Sequence, residues 1–168
     1  YKTFMWPRAF WERLYEPIIR RAAGLGALSG QTNDEPYEKA FAFCDVLVIG
    51  AGPAGLMAAL TAARAGADVI LADEDARMGG RMLAEVEDVD GVPSHEWVGE
   101  VLAELAALPN VRLMTRTTVT GAYDQGTFGA LERVALHAAP GVASGVASGV
   151  APRECFWRIV AEASVLAA

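Results

Sequence analysis

The stretch Asp45-Val-Leu-Val-Ile-Gly-Ala-Gly-Pro-Ala-Gly55 decides the fold. Its first five residues form a short apolar run that ends in glycine, as a strand buried on both faces does. Small and apolar residues follow from Ala54 to Ala65 and read as a helix, with Gly66 as its C-terminal cap. Asp68-Val-Ile-Leu-Ala72 is then a second buried strand, and strand, helix and strand together have the size of a βαβ unit. The turn inside this unit is Gly50-Ala-Gly52-Pro-Ala-Gly55. A G-x-G-x-x-G turn between a strand and a helix, with an acid after the second strand, is the dinucleotide-binding fingerprint. Gly50 allows the tight turn, Gly52 lets a pyrophosphate approach the backbone, and Gly55 lets helix and strand pack closely. The helix that starts at Pro53 presents a partial positive charge and, from Ala54 onward, backbone N–H groups to phosphates.

Working outward, Asp73 and Glu74 follow the second strand. An acid there accepts hydrogen bonds from a ribose diol and repels a 2′-phosphate, so NAD or FAD is expected rather than NADP. Asp73 is the preferred residue and Glu74 the second. Gly79-Gly80-Arg81 closes the run that begins at Asp73. Its glycines permit close backbone approach. Their position behind the ribose acid resembles the second fingerprint of flavoproteins with two dinucleotide domains, which implies that backbone and Arg81 approach the cofactor phosphates.

The rest of the composition narrows the class. The 168 residues carry 14 Lys and Arg against 21 Asp and Glu, a net charge of −7. With a pI near 4.8 there is no cationic track for a nucleic acid. Apolar residues make up 53%, enough for a core and too many for a disordered chain. The mean hydropathy of +0.25 leaves apolar surface for a partner. Val46 to Ala72 is the most apolar stretch, but Pro53, Arg64 and Asp68 interrupt it, so no membrane span is expected. No signal peptide is expected either. Cys44 and Cys155 form no CxxC pair, which argues against a zinc knuckle and fits a reducing, cytoplasmic compartment.

Residues 1–43 read as an N-terminal aromatic arm, with Phe10/Trp11, Leu14/Tyr15 and Ile18/Ile19 spaced as one stripe of a helix that Gly24 and Gly26 end. Residues 44–168 read as an incomplete Rossmann-like α/β domain, three-layered around a parallel sheet. In it, Ser94 caps a second helix whose apolar face is Val98, Val101, Leu102 and Leu105. Val111–Met114 is a third strand, and 117–123 with 127–134 form a hairpin about Asp124-Gln125-Gly126. A β-rich insertion is expected over 115–162, with the repeat at 141–152 (GVAS, GVAS, GVAP) as a flexible connector. Phe156–Val160 and Ala163–Ala167 are two further strand candidates. No catalytic residue and no metal site is expected: His95 and His137 read as solvated, and Tyr123-Asp124 as a turn.

Taken together, these segments resemble the α subunits of the heterotetrameric sarcosine oxidase family. The similarity is carried by Tyr1-Lys-Thr-Phe-Met-Trp-Pro7, Phe10-Trp-Glu12, Tyr15 to Gly26, Cys44 to Gly50 with its fingerprint, Leu71 to Asp75, Leu105 to Val111, Arg116 to Val119, Tyr123-Asp124 and Gly129 to Val134. The resemblance implies a piece of a flavin-dependent amine oxidoreductase that demethylates sarcosine to glycine. In that family NAD sits in the α-subunit Rossmann-like domain, while FMN and FAD lie elsewhere in the complex. It implies that Gly50, Gly52, Gly55, Asp73 or Glu74, and Gly79-Gly80 hold NAD here, and that the partners are other subunits of a hetero-oligomeric oxidase. The family's subunits are several times longer, so the isolated piece is expected to be inactive. The GVAS repeat departs from the family's ordinary loop. Two other readings stand beside this one: FAD in the same pocket, or an assembly module whose dinucleotide is structural.

Overall fold

The computed structural model describes residues 10–24, 30, 37–89, 91–133 and 154–167. His137 and the 141–152 repeat lie outside them. The chain divides into two units, Tyr1–Asp34 and Glu35–Ala168. In the first, a π-helical turn at Trp11–Tyr15 leads into α1 (Glu16–Ala22). Phe10, Leu14, Ile18 and Ile19 of the expected stripe are all exposed on it, and Glu16 pairs with Arg20 one turn on.

The second unit is built on a six-stranded sheet in the order β5-β2-β1-β8-β7-β6. These strands are β1 (Tyr37–Ile49), β2 (Val69–Ala72), β5 (Val111–Met114), β6 (Thr117–Tyr123), β7 (Thr127–Arg133) and β8 (Glu154–Leu166). A separate two-stranded ribbon joins β3 (Asp88–Val89) to β4 (Val92–Pro93). The pairs β1–β2, β2–β5 and β1–β8 are parallel, whereas β7 runs antiparallel to both β8 and β6. This is an α/β Rossmann-like sheet with a β meander entering beside β8. The expected hairpin is β6 and β7, turning at Asp124–Gly126 with Gln125 at φ +59°. The two strand candidates after residue 155 are one strand of 13 residues.

β1 also begins earlier than its apolar core, so residues 37–43 belong to the sheet and not to the arm. Their alternation is inverted in size. Tyr37, Phe41 and Phe43 are exposed, while the small Ala42 and Cys44 face inward. At Asp45 the strand bulges: the amides of Asp45 and Val46 both donate to the Asp68 carbonyl, at 2.9 and 3.1 Å. One extra residue reverses the alternation. Ala42 and Cys44 before the bulge, and Leu47 and Ile49 after it, therefore serve the same core.

Two cores lie on opposite faces of the sheet. α2 (Pro53–Arg64) and α3 (Ser94–Ala107) cover one, enclosing Val48, Leu56, Leu60, Leu71, Val98 and Leu105. Asn110 joins the helix layer to the β5 turn by donating to the carbonyls of Ala63 and Ala67. The other core mixes Ile70 and Met114 with Ala130 and Ile159, so residues from both ends of the strand order meet. The sheet thus folds over its own face, and the Arg112 guanidinium lies 4.2 Å from the Trp157 ring, whose Nε1 donates to Glu132. Ser94 is no cap. The helix makes no side-chain cap bond, and the buried Ser94 hydroxyl instead faces the carbonyls of Met82 and Glu85, each at 3.0 Å. Among the described residues, no helix is long and apolar enough to cross a membrane.

Cys44 and Cys155 are buried and form no disulfide. Burial pushes both thiols from 9.0 up to about 11, because the charged thiolate loses its hydration. Each therefore stabilises the fold fully below pH 9, and that contribution is lost as the pH rises from 9 to about 11. Urea unfolding across this range is expected to show falling stability, with a shallower fall in the Cys44→Ala/Cys155→Ala variant.

Candidate functional site

The first-strand glycines bring three separate segments together at the C-terminal ends of the parallel strands. Gly50 turns the chain out of β1 at φ +97°, and its amide donates to the Ala72 carbonyl at 2.8 Å. Ala51 is fully buried, and its peptide groups hold the other two segments. Its N–H donates to Asp73 Oδ2 at 2.6 Å, and its carbonyl accepts from the Gly79 amide at 2.9 Å. Asp73 Oδ1 accepts a second amide, that of Asp75, at 2.8 Å. An ionised carboxylate has about four acceptor sites, so roughly two remain for a ligand hydroxyl.

These segments wall a cavity of about 700 Å³, within the range of small-molecule sites. Gly50, Gly52, Pro53, Ala54, Asp73, Glu74, Gly80 and Arg81 of the expected set all line it. Gly55 and Gly79 do not, and each serves the packing behind the wall. A Cβ on Gly55 would sit 1.9 Å from the Gly50 carbonyl oxygen. At Gly79, with φ +129°, it would meet Val98 and Leu83 at 2.8 and 2.9 Å. Gly80 approaches Gly52 so closely that its Cβ would lie 3.3 Å from the Gly52 Cα.

Gly52 is different. It caps α2 at φ −69°, which any residue adopts, and a Cβ there would meet nothing within 4 Å. The fold makes little demand for glycine at this position. A Cβ would occupy space that opens on the cavity at the start of a helix. That is a cradle suited to a phosphate, which needs bare backbone and aligned N–H groups.

Several lining residues carry no signal in the sequence. Thr117, Thr118 and Val119 come from the start of β6, and Leu166 and Ala167 from the end of β8. Thr117 is buried; its amide donates to the Asp73 carbonyl at 2.8 Å and its hydroxyl to the Thr115 carbonyl at 3.0 Å. Arg116, at φ +53°, makes the preceding turn and ties it to the Asp75 carbonyl. Met82 of the 3₁₀ turn Gly80–Leu83 and Glu85 just beyond it complete the wall, and Arg81 pairs with Glu85 four residues on. His95 stands exposed on α3, 3.9 Å from the Glu96 carboxylate. Among the described residues, no group of three or more His, Cys, Asp or Glu is placed to hold a metal ion.

The chain has relatives among known proteins in both sequence and fold. Residues 45–120 match the family model of FAD dependent oxidoreductases. The chain is 50% identical over 167 residues, 99% of its length, to the sarcosine oxidase subunit alpha of Rhizobium meliloti (strain 1021). It is 41% identical over 146 residues, 86% of its length, to that of Corynebacterium sp. (strain P-1). It spans only 16% and 14% of the length of these two relatives. Among solved structures, L-proline dehydrogenase from P. horikoshii shares the fold, with a TM-score of 0.57 and 24% identity over 83% of this chain and 25% of that one.

Two glycine variants separate packing from ligand approach. Gly55→Ala is expected to cost about 3 kcal/mol of stability or more, because its Cβ overlaps backbone. Gly52→Ala is expected to cost about 1 kcal/mol or less, a cap preference only. Denaturant unfolding of both checks the difference.

Proposed function

The chain is a homologue of the sarcosine oxidase alpha subunits, and from that premise we propose that it is the dinucleotide-binding part of a sarcosine oxidase-like, flavin-dependent amine oxidoreductase. The 700 Å³ cavity takes the adenosine and pyrophosphate of an adenine dinucleotide. The observation that carries this reading is Gly52, a position whose backbone accepts any residue and whose missing Cβ leaves room beside a helix start. Gly52 and Gly80 admit the pyrophosphate, with the amides of the first α2 turn facing it. Asp73 holds the ribose diol with its remaining acceptor sites, and Glu74 stands beside it at the cavity lip. Asp73, Glu74 and Asp75 together repel a 2′-phosphate, so NADP is rejected.

Two dinucleotides satisfy these contacts. The family model matched by residues 45–120, that of FAD dependent oxidoreductases, favours FAD. NAD is what the family resemblance of the sequence motifs implies. Either group would supply a hydride acceptor; what this chain supplies is binding and orientation of the adenine half. No side chain in the cavity is assigned a catalytic role. The substrate chemistry, oxidation of sarcosine's N-methyl group, belongs to the whole cytoplasmic assembly with its other subunits, and the isolated chain is inactive in it.

The test is to denature the purified protein and identify the small molecule released by mass and absorbance. NAD or FAD is the expected result, and Gly52→Ala is expected to lose it while staying folded. Release of NADP, or failure of the native protein to bind either added NAD or added FAD, overturns the proposal.

A further inference from the structure

The cavity wall from Gly80 to Glu85 contains a pair of opposite charges: Arg81, expected at the cofactor phosphates, and Glu85, which has no part in the contacts above. Arg81 Nε is bonded to Glu85 Oε1. The two ends of this pair are held very differently. The Arg81 side chain is 81% exposed, whereas that of Glu85 is 31% exposed. The Glu85 backbone is anchored twice. Its amide donates to the Arg81 carbonyl at 3.2 Å, and its carbonyl lies 3.0 Å from the hydroxyl of Ser94, itself 2% exposed at the start of α3. The same hydroxyl faces the Met82 carbonyl, so the turn is pinned to the helix layer at two points. Glu85 thus extends a half-buried side chain from an anchored backbone, whereas the guanidinium is the exposed end of the pair.

Both residues line the same cavity as Gly52 and Gly80. In this state the cavity's guanidinium is neutralised by Glu85, while Asp73, Glu74 and Asp75 add negative charge to the lip. A pyrophosphate entering beside Gly52 is drawn by the α2 start but repelled by the acids of the lip, so a cation released toward it adds to the attraction. Arg81 can provide one. A guanidinium carries five N–H donors, of which the Glu85 contact uses one, and its planar fork suits phosphate oxygens.

We propose that Glu85 is a positioning residue for Arg81: it parks the guanidinium on the cavity wall and yields it to the dinucleotide pyrophosphate on binding. This rests on the reading of the cavity as a dinucleotide site. The exchange conserves the ion pairing of Arg81, and the freed carboxylate regains water at the cavity mouth. An exposed pair one helical turn apart is weak, so the latch opens at little cost. Its removal is expected to change affinity about twofold, equivalent to about 0.4 kcal/mol.

Titration of NAD and of FAD into the native chain, Glu85→Gln, Arg81→Gln and the double variant tests this. Glu85→Gln is expected to tighten binding about twofold, and Arg81→Gln to weaken it. In the double variant the Glu85 change is expected to have no further effect, since no arm remains to release. Glu85→Asp keeps the charge but withdraws it, and is expected to tighten binding like Glu85→Gln. Equal tightening with and without Arg81 would mean simple repulsion of the ligand by Glu85 and overturns the proposal. So does an unchanged or weakened affinity in Glu85→Gln when the native chain binds. A native chain that binds neither dinucleotide overturns the reading of the cavity itself, and this inference with it.

Discussion

The site depends on one peptide unit at each side of Ala51. Its N–H fixes the Asp73 carboxylate and its carbonyl fixes the Gly79 amide, so the glycine turn after β1 and both ends of the loop after β2 share a single buried residue. The arrangement is possible only because the glycines on both sides remove bulk. Gly55 lets α2 reach the Gly50 carbonyl, and Gly80 lets the second glycine loop lie on Gly52. A buried amide or carbonyl without a partner costs about 1–3 kcal/mol, so satisfying both groups of Ala51 is a structural requirement that also sets the cavity's shape. The acid at the end of β2 acts on both sides of this arrangement. It braces the loop that forms the cavity and keeps acceptor sites open toward it.

What could be read from sequence is what short-range geometry determines. The run from Asp45 to Ala72 carries its own periodicity, turn and cap, and the Rossmann-like unit stands where those signals place it. The start of β1 was hidden for a physical reason. From Tyr37 to Cys44 the large side chains face outward and the small ones inward, the reverse of the pattern that marks a half-buried strand. The bulge at Asp45 then changes the phase, and no local residue preference announces it. Ser94 illustrates a different limit. A serine before an apolar helix has the composition of a cap, but its hydroxyl is claimed by two carbonyls of a loop nine and twelve residues upstream.

The cavity shows the same division. Its glycines and acids form contiguous motifs and are legible residue by residue. Thr117, Thr118, Val119, Leu166 and Ala167 reach it through the curl of the sheet and the parallel pairing of β8, both long-range products of topology. Arg81 was legible as a cation behind two glycines. Its partner Glu85 was not, because it lies past the end of a four-residue 3₁₀ turn too short to show a helical period in the sequence.

The parallel pairing of β1 with β8 has a consequence for how the chain is made. Tyr37 is aligned with Glu154, and β2 covers β1 only from Val46 onward. A ribosome adding about 5–20 residues per second needs on the order of ten seconds to travel from one strand to the other. Throughout that interval the segment from Tyr37 to Cys44, with its outward phenylalanines, has emerged without the strand it pairs with in the finished sheet. Open strand edges of this kind are templates for pairing between chains. Newly synthesised chains crowded on one messenger thus pass through an aggregation-prone window, which closes when β8 emerges and Ala167 bonds to Ile49 beside the glycine turn.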